Sequence, residues 1–172
     1  SLDIFEVLHG LGMFFVQVSM RPMVESLIFK GLLNPGDDHR GLLDIVEVRI
    51  TLDNALAEPV THAWHNRHDP ELDTLVDNIE HLASQGKLFT DQDRRFHTRL
   101  LEPLDNRLYL HLTEAFWAIH TLTVPLLGAP KLEDLTSTAK AHRAMLHAAR
   151  TGNIPAYHQA IPQPAPYTHL RA

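Results

Sequence analysis

The chain has 172 residues, of which 44% are hydrophobic and 21% charged, values typical of one globular domain with its own core. Its formal net charge of −6 argues against a nucleic-acid-binding surface within these residues, because such surfaces carry a basic patch. The absence of cysteine excludes disulfides and thiolate metal sites. We find no apolar stretch of membrane-spanning length and no secretory signal, and we therefore expect a cytoplasmic protein without a membrane partner.

The first third of the chain contains one candidate strand and two candidate helices. Residues 13–18 (MFFVQV) are rich in β-branched and aromatic side chains, which favours a short strand. Residues 22–33 are predicted to form a short amphipathic helix that ends at the turn signal of residues 34–36 (NPG). A long helix is predicted over residues 42–64, with Pro59 kinking its last third.

The rest of the chain has the spacing of helices throughout. Asp69 and Pro70 are typical of a cap and a first turn, and they predict a helix over residues 70–84. Further helices are predicted over residues 91–104, 107–122 and 131–151, with a final segment from residue 154 that prolines interrupt within 162–166. Pro125 is expected to stop the second of these. The predicted fold class is therefore all-α, an antiparallel bundle of six to seven helices.

Asp93 and His97 are polar residues on an apolar helical face. The apolar residues that recur around Asp93 at helical spacing are Phe89, Phe96, Leu100 and Leu104. This pattern turns Asp93 inward, and His97, four residues later, points the same way. A buried carboxylate without a positive partner costs several kcal/mol, so a cation is expected opposite. One alternative stays open: Thr90 could cap the helix, with Asp93 satisfying free amides of its first turn.

His142 lies on the apolar stripe of the helix predicted over residues 131–151. A single inward histidine is usually a core residue satisfied by one hydrogen bond, and this is the alternative reading. Together with Asp93 and His97, however, it completes an Asp/His/His set of the kind that binds zinc, nickel, manganese or iron. The sequence therefore predicts a divalent metal site, with zinc as the first choice. Three other histidines, His62, His65 and His68, diverge around a helix and predict a solvated helix end.

Five short segments carry a family signal. They are residues 46–49 (VEVR), 93–97 (DRRFH), 105–108 (DNRL), 141–144 (AHRA) and 148–153 (AARTGN). In this order and spacing they resemble the effector-binding (FCD) domain of FadR-like GntR-type transcription regulators, over about residues 41–170.

The resemblance implies a division of the chain into three parts. Residues 1–20 would be the remnant of a winged helix-turn-helix DNA-binding domain, in which residues 1–11 end the recognition helix and 13–18 belong to the wing. Residues 21–40 would be a linker helix and turn, and residues 41–172 the effector-binding helical bundle. Most of the DNA-binding domain is expected to be missing from the chain.

The resemblance also implies specific ligands. Its metal site is held by one aspartate and three histidines, which would be Asp93, His97, His142 and His169. His169 fits only if residues 162–166 are an insertion, and His158 is the fallback. Arg49 would face the pocket and bind the carboxylate of an effector through a two-pronged ion pair, with an interhelical salt bridge as the alternative.

Three functions remain open from the sequence. The leading one is a non-enzymatic, metabolite-responsive transcription regulator, a homodimer that binds DNA through its N-terminal domain and senses a small organic or sugar acid. The second is a metal-dependent enzyme that acts on a small organic acid, although no general base is evident beside the metal ligands. The third is a metal-free bundle that binds an acyl ligand.

Overall fold

The computed structural model describes residues 5–8, 12–15, 22, 26, 40–127 and 132–161. Its elements, in chain order, are β1 (Phe5–Leu8), β2 (Gly12–Phe15), α1 (Arg40–Ala55), α2 (Ala57–Trp64), α3 (Pro70–Ser84), α4 (Thr90–Leu101), a 3₁₀ turn (Glu102–Leu104), α5 (Arg107–Leu127), α6 (Leu132–Thr151) and α7 (Ile154–Ala160). The predicted all-α bundle is confirmed. Among the described helices, none combines the length and the hydrophobicity that crossing a bilayer requires.

The two strands form an antiparallel hairpin in which Phe5 lies opposite Phe15 and Leu8 lies opposite Gly12. A strand was expected over residues 13–18 and is found at Gly12–Phe15. The helix expected over residues 1–11 is wrong at residues 5–8, because the backbone there pairs with β2. Of the helix predicted over residues 22–33, only Pro22 and Ser26 are described, and both are helical.

The helix predicted over residues 42–64 is two helices that meet at Leu56. Pro59 has no N–H to donate to the carbonyl of Ala55, and its ring crowds that turn. The neighbouring bonds persist, from Leu56 N to Leu52 O (3.0 Å) and from Val60 N to Leu56 O (2.9 Å). The proline therefore interrupts the helix one turn before its own position. A second expectation about proline is wrong, because α5 continues through Pro125 to Leu127.

The predicted start of α3 is confirmed. The side chain of Asp69 accepts hydrogen bonds from the backbone N–H groups of Glu71 (2.8 Å) and Leu72 (3.2 Å), and Pro70 is the first helical residue. These bonds satisfy amides that have no partner within the helix. Asn153 caps α7 in the same way, by accepting from the N–H of Ala156 (3.0 Å).

The core lies among α2, α3, α4, α6 and α7, with α3 packed against α4 and α6, and with α4 and α1 both packed against α5. The largest apolar side chains that are fully buried include Phe96, Leu72, Ile79, Leu100, Met145, Leu146 and Ile161. His142 is buried among them with no exposed surface. The candidate metal ligands therefore lie inside the packed bundle and not at its rim.

Arginines of α4 and α6 are tied to carboxylates of α3 and of its cap. The pairs are Arg99 with Asp69 (2.8 Å), Arg95 with Glu71 (3.0 Å), Arg150 with Asp73 (2.6 Å), and Arg143 with Asp77 (2.5 Å) and Glu80 (2.6 Å). In both sets, arginines that come later in α4 or α6 pair with carboxylates that come earlier in α3 or its cap. Both helices that carry candidate ligands therefore run antiparallel to α3.

Candidate metal centre

Asp93 and His97 come from the same face of α4 and are both buried, with 8% and 6% of their surface exposed. The capping role that the sequence left open for Thr90 and Asp93 is not observed. The helix is preceded by Phe89, which makes no side-chain cap bond, and Asp93 instead directs its carboxylate towards α6. The apolar spacing around Asp93 thus predicted its inward orientation correctly.

His142 of α6 reaches Asp93 of α4, and both helices pack against α3. Its Nε2 lies 2.7 Å from Asp93 Oδ1, and its Nδ1 donates a hydrogen bond to the backbone carbonyl of Thr138 at 2.7 Å. A hydrogen bond at one ring nitrogen fixes the orientation of an imidazole and directs the other nitrogen to a ligand. Nε2 is therefore held facing the carboxylate.

The three side chains converge on one point. One ligand atom from each of Asp93, His97 and His142 lies within 4.8 Å of the other two. His97 Nε2 is 3.3 Å from Asp93 Oδ1, but its geometry makes no hydrogen bond, and this buried nitrogen has no hydrogen-bond partner. An unpaired nitrogen in a buried polar cluster is the arrangement that a cation would complete. We call these three residues the triad.

The bonds of His142 restrict its protonation. A neutral imidazole offers one donor and one acceptor, and the donor at Nδ1 is already bound to Thr138. A bare Nε2 would then face an ionised carboxylate, and two acceptors repel each other at 2.7 Å. Nε2 must therefore carry a proton when no metal is bound. A divalent cation on the triad would take the place of that proton.

The electrostatics of the pair agree with this arrangement. Burial works to raise the pKa of Asp93, but the charged imidazole of His142 and the adjacent His97 ring outweigh it, and the pKa falls below its usual 3.8. Burial likewise works to lower the pKa of His142, and the Asp93 carboxylate outweighs it, so this pKa lies above 6.5. The metal-free pair is thus an ion pair stabilised inside the core.

Aromatic rings surround the triad. Phe89 and Phe96 present T-shaped contacts to His142, with ring centroids 6.2 and 5.0 Å away. Trp117 of α5 lies 5.7 Å from the ring centroid of His97, with the two planes inclined by 33°. These rings exclude water and supply no competing ligand atom of their own to the triad.

Arg49 of α1 is half-buried, and its guanidinium carbon lies 5.7 Å from the ring centroid of Trp117. Its positive charge is close enough to oppose protonation of His142. Among the residues that the structure describes, no carboxylate lies within ion-pair distance of Arg49. The interhelical salt bridge that the sequence left open is therefore absent from the described part of the chain.

Comparison with known proteins identifies the family to which the helical bundle belongs. Residues 44–163 match the model of the FCD domain. The chain belongs to the FCD domain family. A relative from Micromonospora viridifaciens, named “Putative transcriptional regulatory protein NedR”, is 43% identical over 97 residues, which cover 56% of this chain and 70% of the relative. The chain is thus a GntR-type FCD transcription regulator. No solved structure matches it significantly.

Two further histidines, His169 and His158, were considered as the fourth metal ligand. His169 lies outside the described residues, as does the proline-rich segment before it. His158 is exposed, and its Nδ1 is 2.8 Å from the side-chain oxygen of Asn54, so it takes no part in the triad. The histidines at positions 62, 65 and 68 are exposed, as predicted.

Sequence analysis missed two contributors to the site of this FCD domain. The carbonyl of Thr138, one turn before His142, could have been found from the i−4 spacing along α6. Trp117 lies in a strongly apolar helix, where the local pattern indicates only a core aromatic. Its contact with His97 depends on how α5 packs against α4, which no local spacing reveals.

The free energy of unfolding of the metal-free domain should fall with rising pH in the wild type and rise with pH when Asp93 is replaced. In the wild type, the raised pKa of His142 gives stability that is complete below pH 6.5 and is lost as pH rises through the raised value. In Asp93→Asn the carboxylate is gone, and burial and Arg49 hold the pKa of His142 below 6.5, so stability should increase as pH rises.

Urea denaturation in excess chelator from about pH 6 to about pH 9 measures both slopes of the free energy of unfolding. His147→Gln is the matched control, because His147 is exposed on the same helix and should leave the wild-type slope unchanged. The same slope in the wild type and in Asp93→Asn would contradict the buried ion pair.

Proposed function

We propose that this FCD domain is the sensor of a metabolite-responsive transcription regulator, and that it binds one divalent metal ion and a small organic or sugar acid. The observation that carries the proposal is the buried triad with an unpaired nitrogen at His97, close to a half-buried Arg49. Occupation of this site would change DNA binding by an N-terminal winged helix, through the difference in affinity between two arrangements of the protein.

The donor set supports a metal ion of borderline hardness. One carboxylate oxygen and two imidazole nitrogens suit zinc first, and also nickel, manganese and iron. The hydrogen bond from His142 to Thr138 supplies the outer contact that metal-bound histidines usually make. Three protein ligands leave room for a further protein ligand and for a ligand from the bound acid. We propose His169 as the fourth protein ligand, on the strength of the family resemblance.

Zinc binding is expected at about one ion per chain. Zinc added to chelator-treated protein should raise the melting temperature, and at a hundredfold excess over Kd the stabilisation is about 2.7 kcal/mol. Asp93→Ala and His142→Ala should abolish zinc binding in calorimetry, and His169→Ala should weaken it about tenfold or more.

The controls for zinc binding are exposed histidines. His147→Ala lies on the same helix as His142, and His158→Ala tests the fallback ligand, so both should bind zinc as the wild type does. A melting temperature that is insensitive to zinc, or a zinc-induced shift that survives in both triad variants, would refute the metal site.

Arg49 is the group best placed to meet an acidic ligand near the triad. A guanidinium offers two parallel N–H donors to a carboxylate, and this one has no carboxylate partner among the described residues. The charge of Arg49 and an ion on the triad would together attract an anion. The proposed effector is therefore a small acid with one group for Arg49 and another for the metal.

Arg49→Lys keeps the charge but loses the planar pair of donors, so it should weaken acid binding about tenfold without a comparable loss of stability. Calorimetry on zinc-loaded protein with malonate, malate and gluconate measures the affinity, and urea denaturation measures the stability. Arg95→Lys is the control, because Arg95 is exposed and pairs with Glu71. Equal acid affinity in Arg49→Lys and the wild type would exclude Arg49 from the site.

We also propose that the domain works as a homodimer. A regulator that reads a two-fold operator needs two DNA-binding heads. We propose, from the family resemblance, that residues 1–20 are the remnant of such a head and its wing, and the hairpin of β1 and β2 supports this assignment.

Light scattering should report about twice the chain mass of 19.5 kDa. A form of the protein with a complete winged helix should bind a palindromic site in a manner that zinc and acid modify. The acidic chain described above should bind DNA negligibly. A form with a complete winged helix that remained monomeric at micromolar concentration and failed to bind DNA at low salt would contradict the regulator and favour an enzyme.

The two other functions find less support. The FCD match and the regulator relative favour a transcription factor over an enzyme. An acyl chain would offer no polar group to the triad, and the buried Nε2 of His97 would stay without a hydrogen-bond partner. Turnover of an organic acid that chelation abolishes would support the enzyme, and a metal-free protein that binds acyl chains would support the third function.

A further inference from the structure

Trp117 contacts both Arg49, the proposed acid-binding residue, and His97 of the triad. Its indole ring is 5.7 Å from the guanidinium carbon of Arg49 and 5.7 Å from the ring centroid of His97. The guanidinium carbon therefore lies at most twice this distance from the centroid of His97. Only 3% of Trp117 is exposed, so packing of α5 fixes the ring in place. Arg49 and His97 come from different helices, and α5 is packed against both.

A rigid ring in this position restricts the side chains of Arg49 and His97. An arginine side chain loses considerable rotamer freedom when it is ordered, and attraction between a cation and an aromatic face offsets part of that loss. The tilted contact with His97 limits rotation of the imidazole whose Nε2 has no hydrogen-bond partner. One side chain thus sets where the guanidinium lies relative to that nitrogen.

We propose that Trp117 is the positioning residue of this site, which holds the Arg49 guanidinium at a set place relative to the His97 imidazole so that one small acid meets both Arg49 and an ion on the triad. The inference rests on the proposed function. It adds a specificity element, because the fixed separation selects acids by the distance between their two polar groups. Acids too short to span from Arg49 to the ion should bind through only one of the two groups.

The simpler explanation is that Trp117 only fills the core between α4 and α5. A filling role predicts that truncation lowers stability and weakens every ligand in proportion. A positioning role predicts that the effects of Trp117 and Arg49 on acid binding depend on each other. It also predicts that the indole senses occupation of the triad by the metal alone.

The first experiment uses zinc alone and tryptophan emission. The chain has two tryptophans, and Trp64 is buried against the last turn of α4, with its N–H bonded to the carbonyl of Leu100 at 2.9 Å. Zinc should change the emission of the wild type and saturate at one ion per chain. The change should disappear in Trp117→Phe, in which only Trp64 remains. Calorimetry on the same samples measures zinc binding independently.

The second experiment is a double-mutant cycle on zinc-loaded protein with malonate, malate and gluconate as probes. Trp117→Leu should weaken binding of the best probe about threefold to tenfold, Trp117→Phe should restore part of the loss, and zinc affinity should stay within about threefold. Arg49→Lys should have a clearly smaller effect in the Trp117→Leu background than alone. Phe116→Leu is the matched control, an aromatic truncation at the preceding position of α5.

The outcomes separate the inference from the proposed function. Absence of zinc binding, or of binding by all three acids, in the wild type refutes the proposed function and the inference with it. Zinc binding without any change in Trp117 emission refutes the inference alone. So do additive effects of the Trp117 and Arg49 variants. If Trp117→Leu does not fold, the cycle is run with Trp117→Phe, for which additivity has the same meaning.

Discussion

The burial of one carboxylate is the constraint on which the site depends. Asp93 has too little contact with water to remain charged alone, and the apolar positions around it on α4 leave it no other orientation. A positive charge must be supplied from across the interface, and His142 is the group that α6 brings there. That charge can be a proton or a metal ion, and the geometry serves both. A metal ion bound as proposed would therefore compete with a proton for the same place in the core.

The surroundings of the triad favour a defined site over a loose polar cluster. The Thr138 carbonyl fixes one ring, aromatic edges enclose it, and the second ring lies against a buried indole. In such low-dielectric surroundings each electrostatic interaction is stronger than in water. Under the proposed function, an anion that enters near Arg49 would meet a positive potential from the guanidinium and from an occupied triad. This potential would distinguish acidic metabolites from neutral ones.

Local sequence determined some features and not others. The start of α3 was predictable because Asp69 and Pro70 act within one helical turn. Pro59 was recognised as disruptive, but its effect falls at Leu56, because the lost bond involves the carbonyl of an earlier residue. The strand Phe5–Leu8 could not be predicted from its own residues, since its conformation depends on pairing with β2.

The candidate site shows the same division. Helical periodicity predicted that Asp93, His97 and His142 face inward, but it could not decide between a cap and an ion pair for Asp93. That decision depends on how α4 and α6 both pack against α3, which brings His142 opposite Asp93. The contact between Trp117 and His97 could not be predicted for the same reason, since a tryptophan in an apolar helix has many possible neighbours. Residue type thus indicates which side chains can form an ion pair or bind a metal, and helix packing determines which of them come together.

The arginine pairs on α3 have a consequence for the energetics of ligand capture. Helices α4 and α6 provide every described member of the triad, and each is fastened to α3 by its own set of ion pairs, although α3 provides no ligand. The separation of the two helices is thus preset when the bundle folds. The entropy of assembling the ligands is lost during folding, so little of it remains to oppose the arrival of an ion. Helix α3 would thus act as a template for the proposed metal site, to which it contributes none of the three described ligands.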